Sequence, residues 1–282
     1  MCNFTATWVS ETLDPLCIKS IRLWIEAPIS SCVAEWLISP LSKCGRSIPS
    51  LKNRFERLNL SKRAALKSSP NENIRHLWAD TSTQNINHDS LLISNSTSEA
   101  HKKLNKTQKE EAVLHMTGLF YQGKSIKVVT ENLASSTISN WSKMTNSLPG
   151  FLFNFTRKAI QSQLPTLANL VRWGRASSNL CPLCGSVQTN KHVLSNCSHP
   201  SALTRFTNRH NKILVMLADW LSSKLDNNST LFLDLPGSKY KQVTDIFTSV
   251  RPDLAIVTEN AVLIVELTIC HETNFRSSKS YQ

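Results

Sequence analysis

The sequence predicts a mixed fold: an α-helical N-terminal region, a small metal knuckle and a C-terminal α/β part. Three observations carry this reading. Apolar residues recur at helical spacing before and after residue 150; Cys181, Cys184, His192 and Cys197 crowd into one short stretch; and two β-branched runs, Leu254–Val257 and Ala261–Cys270, flank a tight turn.

The elements follow in chain order. Asp14-Pro15 reads as an N-cap with proline at the first helical position, and Ile18, Ile21 and Ile25 continue as a stripe that Trp24 widens. Pro28 ends this helix, Val33, Trp36 and Leu37 predict a short second one, and Pro40 closes that. Residues 1–66 are thus a helical region. Residues 67–106 are mostly Ser, Thr, Asn, His and Lys with little periodicity, which predicts a polar linker unable to bury enough apolar surface to offset ordering. Helices resume over 107–180, with apolar groups at Glu110–Phe120, Trp141, Phe151–Phe155, Leu164-Pro-Thr166 and Asn169–Trp173, and are expected to pack onto the knuckle at 181–199. In the last region, 200–282, Leu203, Phe206, His210, Ile213, Leu214, Leu217 and Leu221 predict one amphipathic helix of about six turns. Its exposed side carries Arg205, Asn208, Arg209 and Lys212, while His210 falls on the apolar stripe.

The spacing Cys-x2-Cys-x7-His-x4-Cys places four soft or borderline ligands close enough to surround one tetrahedral Zn²⁺. Gly185 allows the sharp turn that aims the first two thiolates at one ion. His199 is a second histidine within reach of the knuckle. Cys2, Cys17, Cys32, Cys44 and Cys270 show no pairing pattern, and a zinc knuckle points to a reducing, intracellular compartment.

A formal net charge of +12 and a pI near 9.5 favour a polyanionic partner, with nucleic acid the economical choice. No apolar run approaches the ~18 to 20 residues of a transmembrane helix, and the N-terminus lacks the pattern of a secretory signal. The expectation is a protein without a membrane partner.

With Glu259 and Asn260 as the two turn residues of the C-terminal hairpin, Asp253 faces Glu266 across the ladder. Two carboxylates so placed repel, and a Mg²⁺ or Mn²⁺ ion, which takes oxygen ligands, relieves the conflict. Glu266 stands among Val262, Leu263, Ile264, Val265, Leu267 and Ile269, which predicts a buried strand around it. The alternative is that Asp253 only ends a strand after Pro252 and that Glu266 faces solvent on an edge.

The chain resembles the C-terminal part of non-LTR retrotransposon reverse transcriptase polyproteins that carry a restriction-like endonuclease of the PD-(D/E)xK class. In that family a Cys-Cys-His-Cys knuckle precedes an Arg/Lys-His-Asn triplet, a Lys/Arg-Pro-Asp triplet and, 12 to 14 residues later, an acid. Here these are Cys181, Cys184, His192 and Cys197; Arg209-His210-Asn211; Arg251-Pro252-Asp253; and Glu266 after twelve intervening residues. Leu13-Asp-Pro15 through Trp24, with Ser47-Ile-Pro-Ser50, is more loosely similar to the helical region that follows the palm. No Asp-Asp dipeptide of a polymerase palm occurs.

The resemblance implies a restriction-endonuclease-like fold for 200–282, truncated because the chain stops sixteen residues beyond Glu266. It implies Asp253 and Glu266 as ligands of a catalytic Mg²⁺ or Mn²⁺, His210 as a further catalytic residue, and Arg209, Asn211 and Arg251 as nucleic-acid contacts. Threonine stands at Thr268, where the class usually places lysine, so Lys279 from a following helix takes that role. The implied function is a fragment of a nuclear retroelement polyprotein whose intact form nicks target DNA to prime reverse transcription, with element RNA as a second partner. The alternatives are a non-catalytic zinc-dependent nucleic-acid-binding module and an inactive relic.

Overall fold

Proline and short polar side chains set the helix boundaries in the computed structural model, which describes residues 5–29, 31–80, 90–92, 96–226 and 228–271. A π-helical turn, Val9–Leu13, runs directly into α1 (Asp14–Trp24), so Asp14 does not cap its own helix. Its carboxylate instead accepts the amides of Leu51 (2.8 Å) and Lys52 (3.1 Å), capping α3 (Leu51–Lys67) beside the N-cap Ser50. Between them lies α2 (Val33–Ile38).

The polar linker expected at 67–106 is corrected where it is described. Glu72–Asp80 is helical (α4), and Thr97–Gly118 forms a long helix (α5) opened by a reciprocal capping box between Ser96 and Glu99. Leu92 is buried with Leu60 and Ala100, so even this polar stretch contributes to a core. Then follow α6 (Lys124–Asn132), α7 (Ser135–Met144) and α8 (Gly150–Ile160).

The chain divides into two units, Met1–Leu164 and Pro165–Gln282, rather than at 66, 106 and 180. The first is helical among its described residues. Its main core gathers Val33, Trp36 and Leu37 of α2 with Met116, Ile126 and Ile138, and the stripe Ile18, Ile21 and Ile25 packs against it. Trp24 is 78% exposed and does not join that stripe. Phe153 packs on this core too, so α8, expected on the knuckle, belongs to the first unit. The Arg46 guanidinium lies 4.8 Å from the Trp36 ring centre and 4.9 Å from that of Phe153.

The second unit holds α9 (Leu167–Arg172), the knuckle, α10 (Pro200–Ser222) and a four-stranded mixed sheet. The strands are β1 (Thr230–Leu233), β2 (Lys241–Gln242), β3 (Leu254–Val257) and β4 (Val262–Val265), in the order β2-β1-β3-β4. β1 pairs parallel with β2 and antiparallel with β3, which pairs antiparallel with β4. Leu214 and Ala218 of α10 pack on Leu231, Leu233, Leu254 and Ile256 of one sheet face. Phe232, Val243 and Ala255 fill a smaller cluster with residues of the other face.

β3 is buried as its apolar run predicts, but β4 is not: Val262, Leu263 and Ile264 are each about half exposed because β4 is the edge strand. Glu266, just past β4, is exposed as well, so the buried strand expected around it is corrected.

Candidate metal centre and carboxylate hairpin

Backbone hydrogen bonds shape the knuckle. The Cys181 amide donates to Ser186 O (2.7 Å), the Gly185 amide to Cys181 O (2.9 Å), and Gly185 takes a φ of +74°, a left-handed turn that disfavours a side chain. The Thr189 hydroxyl accepts the His192 amide (3.2 Å), starting the π-helical turn His192–Asn196 that carries the third ligand. The α9 helix is joined to the knuckle where the amides of Leu167 and Ala168 donate to Gln188.

One ligand atom from each of Cys181, Cys184, His192 and Cys197 lies within 4.8 Å of all the others. A tetrahedral zinc with Zn–S bonds of ~2.3 Å sets two sulfurs ~3.8 Å apart, and sulfur and imidazole nitrogen ~3.6 Å apart. The Sγ atoms of Cys184 and Cys197 are 3.8 Å apart, and Cys184 Sγ lies 3.4 Å from His192 Nε2. The donor set therefore fits a metal such as zinc.

Two of the three ligand cysteines are more acidic than a free thiol, unlike the core cysteines. The Ser186 amide holds Cys184 down at about 7, and the Leu183 amide lowers Cys181. The His199 amide favours the Cys197 thiolate, but burial and the neighbouring thiols outweigh it and raise this group. In the first unit burial pushes Cys32 and Cys44 up to about 12, the behaviour of inert packing residues. None of the described cysteines is in a disulfide. His199 is not among the converging ligands; its Nδ1 accepts the Ser201 amide (3.2 Å) and caps α10.

The hairpin turn closes through Thr258, whose amide and hydroxyl both donate to Ala261 O, at 2.9 and 3.1 Å. That two-residue loop pairs Leu254 with Val265 and Val257 with Val262. Asp253 and Glu266 are therefore the next facing pair, one step beyond the ladder. Loss of hydration and then the charge of Asp253 raise the Glu266 carboxyl above the usual glutamate range, with a smaller effect from Asp234.

Asp253 is held by the strand end and flanked by His210. Its Oδ2 accepts the Leu267 amide at 2.7 Å and lies 3.4 Å from His210 Nε2. That same nitrogen is 3.0 Å from Leu267 O, and a carbonyl only accepts, so Nε2 carries the proton. His210 thus braces the chain just past β4 and stands beside Asp253, with its Nδ1 3.4 Å from Asn211 Oδ1.

Two of the side chains expected to contact nucleic acid are engaged within the chain. Arg209 Nη1 donates to Leu194 O of the knuckle (2.8 Å), and Arg251 pairs with Asp234 at 2.6 Å. Asn211 stays beside His210, while Lys279 lies outside the described residues. On α10, Arg205, Asn208 and Lys212 surround a surface depression of about 450 Å³ together with Arg209 and Ile213. Sequence reasoning passed over Asp234, although Thr230-Leu-Phe-Leu-Asp234 repeats the acid beside a β-run that drew attention to Asp253.

No protein-family model and no curated protein matches this sequence. Among the described residues, no helix is long and apolar enough to cross a membrane.

Proposed function

We propose that the second unit is the core of a divalent-metal-dependent nuclease stabilised by a zinc knuckle, and that the chain belongs to a retroelement polyprotein that nicks target DNA in the nucleus. The observation that carries this reading is the hairpin register, which sets Asp253 opposite Glu266, with His210 3.4 Å from Asp253. The succession of helix and antiparallel strands around this pair, α10, β1, β3 and β4, supports the resemblance to the restriction-like fold.

Asp253 and Glu266 supply hard oxygen donors, and their mutual repulsion is the imbalance a divalent cation removes. When bound there, Mg²⁺ or Mn²⁺ polarises the scissile phosphate and lowers the pKa of an attacking water. The Leu267 amide donates to Asp253 Oδ2 and His210 Nε2 donates to Leu267 O, so His210 holds Asp253 through the Leu267 peptide before substrate arrives. Arg205 and Lys212 are the cations of α10 open to phosphates, so they take the role first assigned to Arg209 and Arg251. Lys279 is proposed to balance the charge developing on the phosphoryl group.

The reading is tested by plasmid nicking with Mg²⁺ or Mn²⁺, comparing the parent chain with Asp253→Ala at equal zinc content. Nicking by the parent and its loss in the variant support it; equal nicking by both ends the assignment. A second reading, a zinc-dependent nucleic-acid-binding module without catalysis, is favoured by the pairing of Arg251 with Asp234 and by threonine at Thr268. Salt-sensitive DNA binding by a chain that never cleaves selects it.

A further inference from the structure

Neighbouring residues of α10 reach two different parts of the second unit. Arg209 Nη1 donates to Leu194 O at 2.8 Å, and Leu194 lies between the ligands His192 and Cys197. The Arg209 guanidinium also sits 5.4 Å from the Phe206 ring centre, while its Nε is buried with no hydrogen-bond partner. One residue on, His210 Nε2 donates to Leu267 O at 3.0 Å and stands 3.4 Å from Asp253. The helix itself begins three residues after Cys197.

We infer that Arg209 is a positioning residue through which metal occupancy of the knuckle sets the geometry of Asp253 and Glu266. This rests on the proposed reading that those two acids hold a divalent cation. The knuckle buries few side chains besides its ligands, Asn190 among them, so the converging thiols have no attraction of their own to keep segment 181–197 closed. When that segment opens, the Leu194 carbonyl leaves and Arg209, already one hydrogen bond short at Nε, loses the contact that ties the middle of α10 to the knuckle. A rigid helix passes the displacement to His210, and a carboxylate site tolerates only a fraction of an ångström before its ligands cease to converge.

Binding equilibria coupled in this way are reciprocal. The test uses the full chain with one equivalent of Zn²⁺, titrated with Mn²⁺ and read by electron paramagnetic resonance, with zinc affinity measured by competition with a chromophoric chelator. We expect zinc removal to weaken Mn²⁺ binding roughly tenfold, and Arg209→Ala to do the same with zinc still bound, a coupling of ordinary size. Arg209→Lys, which keeps one donor and the charge, recovers part of the loss. Withdrawing Mn²⁺ lowers zinc affinity by the same factor that withdrawing zinc lowers Mn²⁺ affinity, as linkage requires, and in Arg209→Ala this mutual factor falls toward one, a loss that a merely stabilising role for Arg209 does not produce. Mn²⁺ affinity that ignores zinc in the parent chain, or zinc-loaded Arg209→Ala that binds Mn²⁺ like the parent, overturns the inference. Should Arg209→Ala fail to fold, zinc removal from the parent chain and the Lys variant still decide. A zinc-loaded parent that binds no Mn²⁺, or binds it as well after Asp253→Ala, removes instead the reading beneath.

Discussion

Replacing Glu266 with glutamine removes a charge that loses hydration and is repelled by Asp253. Facing residues of an antiparallel pair stand ~4.5 to 5.5 Å apart at Cβ, and two unit charges ~5 Å apart repel by about 0.8 kcal/mol in water and about 3 kcal/mol at an effective dielectric of 20. Glu266 is exposed, so the water-like value governs and about 1 kcal/mol is expected. In a unit the size of Pro165–Gln282, that raises the Tm of Glu266→Gln above the parent by roughly 3 to 5 °C without divalent ions. The sign has a pH signature. A raised carboxyl holds its proton more tightly in the folded than in the unfolded state, so its presence costs stability as pH rises through the folded value. The gap between variant and parent therefore closes as pH falls below the ordinary glutamate range. Adding ~10 mM Mn²⁺ to a site with a Kd near ~1 mM stabilises the parent by about 1.4 kcal/mol, and the order reverses. Differential scanning fluorimetry at several pH values reads all three effects. A variant no more stable than the parent at pH 7 without metal, or equal stabilisation of both by Mn²⁺, refutes the reasoning.

Cys184→Ser removes one of four converging ligands, so zinc content by atomic absorption falls from about one equivalent toward zero and amide exchange accelerates across 181–197, because a structural site of this kind supplies on the order of 10 kcal/mol. Leu254→Ala, in a side chain with no exposed surface, costs about 2 to 5 kcal/mol in denaturant unfolding, whereas Leu263→Lys on the exposed edge strand changes stability by about 0.5 kcal/mol or less. Asp14→Ala leaves the Leu51 and Lys52 amides without their acceptor and costs about 1 kcal/mol, seen as a lower thermal midpoint.

The features legible in the sequence were those decided by local chemistry. The hairpin register follows from a two-residue turn, and Thr258 closes that turn with its own side chain, so the facing of Asp253 and Glu266 needed no tertiary information. The knuckle ligands were legible for the same reason, since their spacing and Gly185 act within one short segment. The exposure of β4 was not, because an apolar strand reads alike whether it lies inside a sheet or at its edge, and sheet order is a long-range property. At Ser96 and Glu99 the capping box is present in the sequence, but the polar composition of 67–106 points to a linker where α5 begins. The engagement of Arg209 could not be read at all: its acceptor is a backbone carbonyl fifteen residues away, and every residue type offers one.

The most direct measurement is a crystal structure of the zinc-loaded chain soaked in Mn²⁺, with anomalous scattering recorded to place the ion. A peak within ~2.0 to 2.3 Å of a carboxylate oxygen from both Asp253 and Glu266 is the expected result. Carboxylates turned to opposite sides of the hairpin, with no Mn²⁺ between them, contradict it.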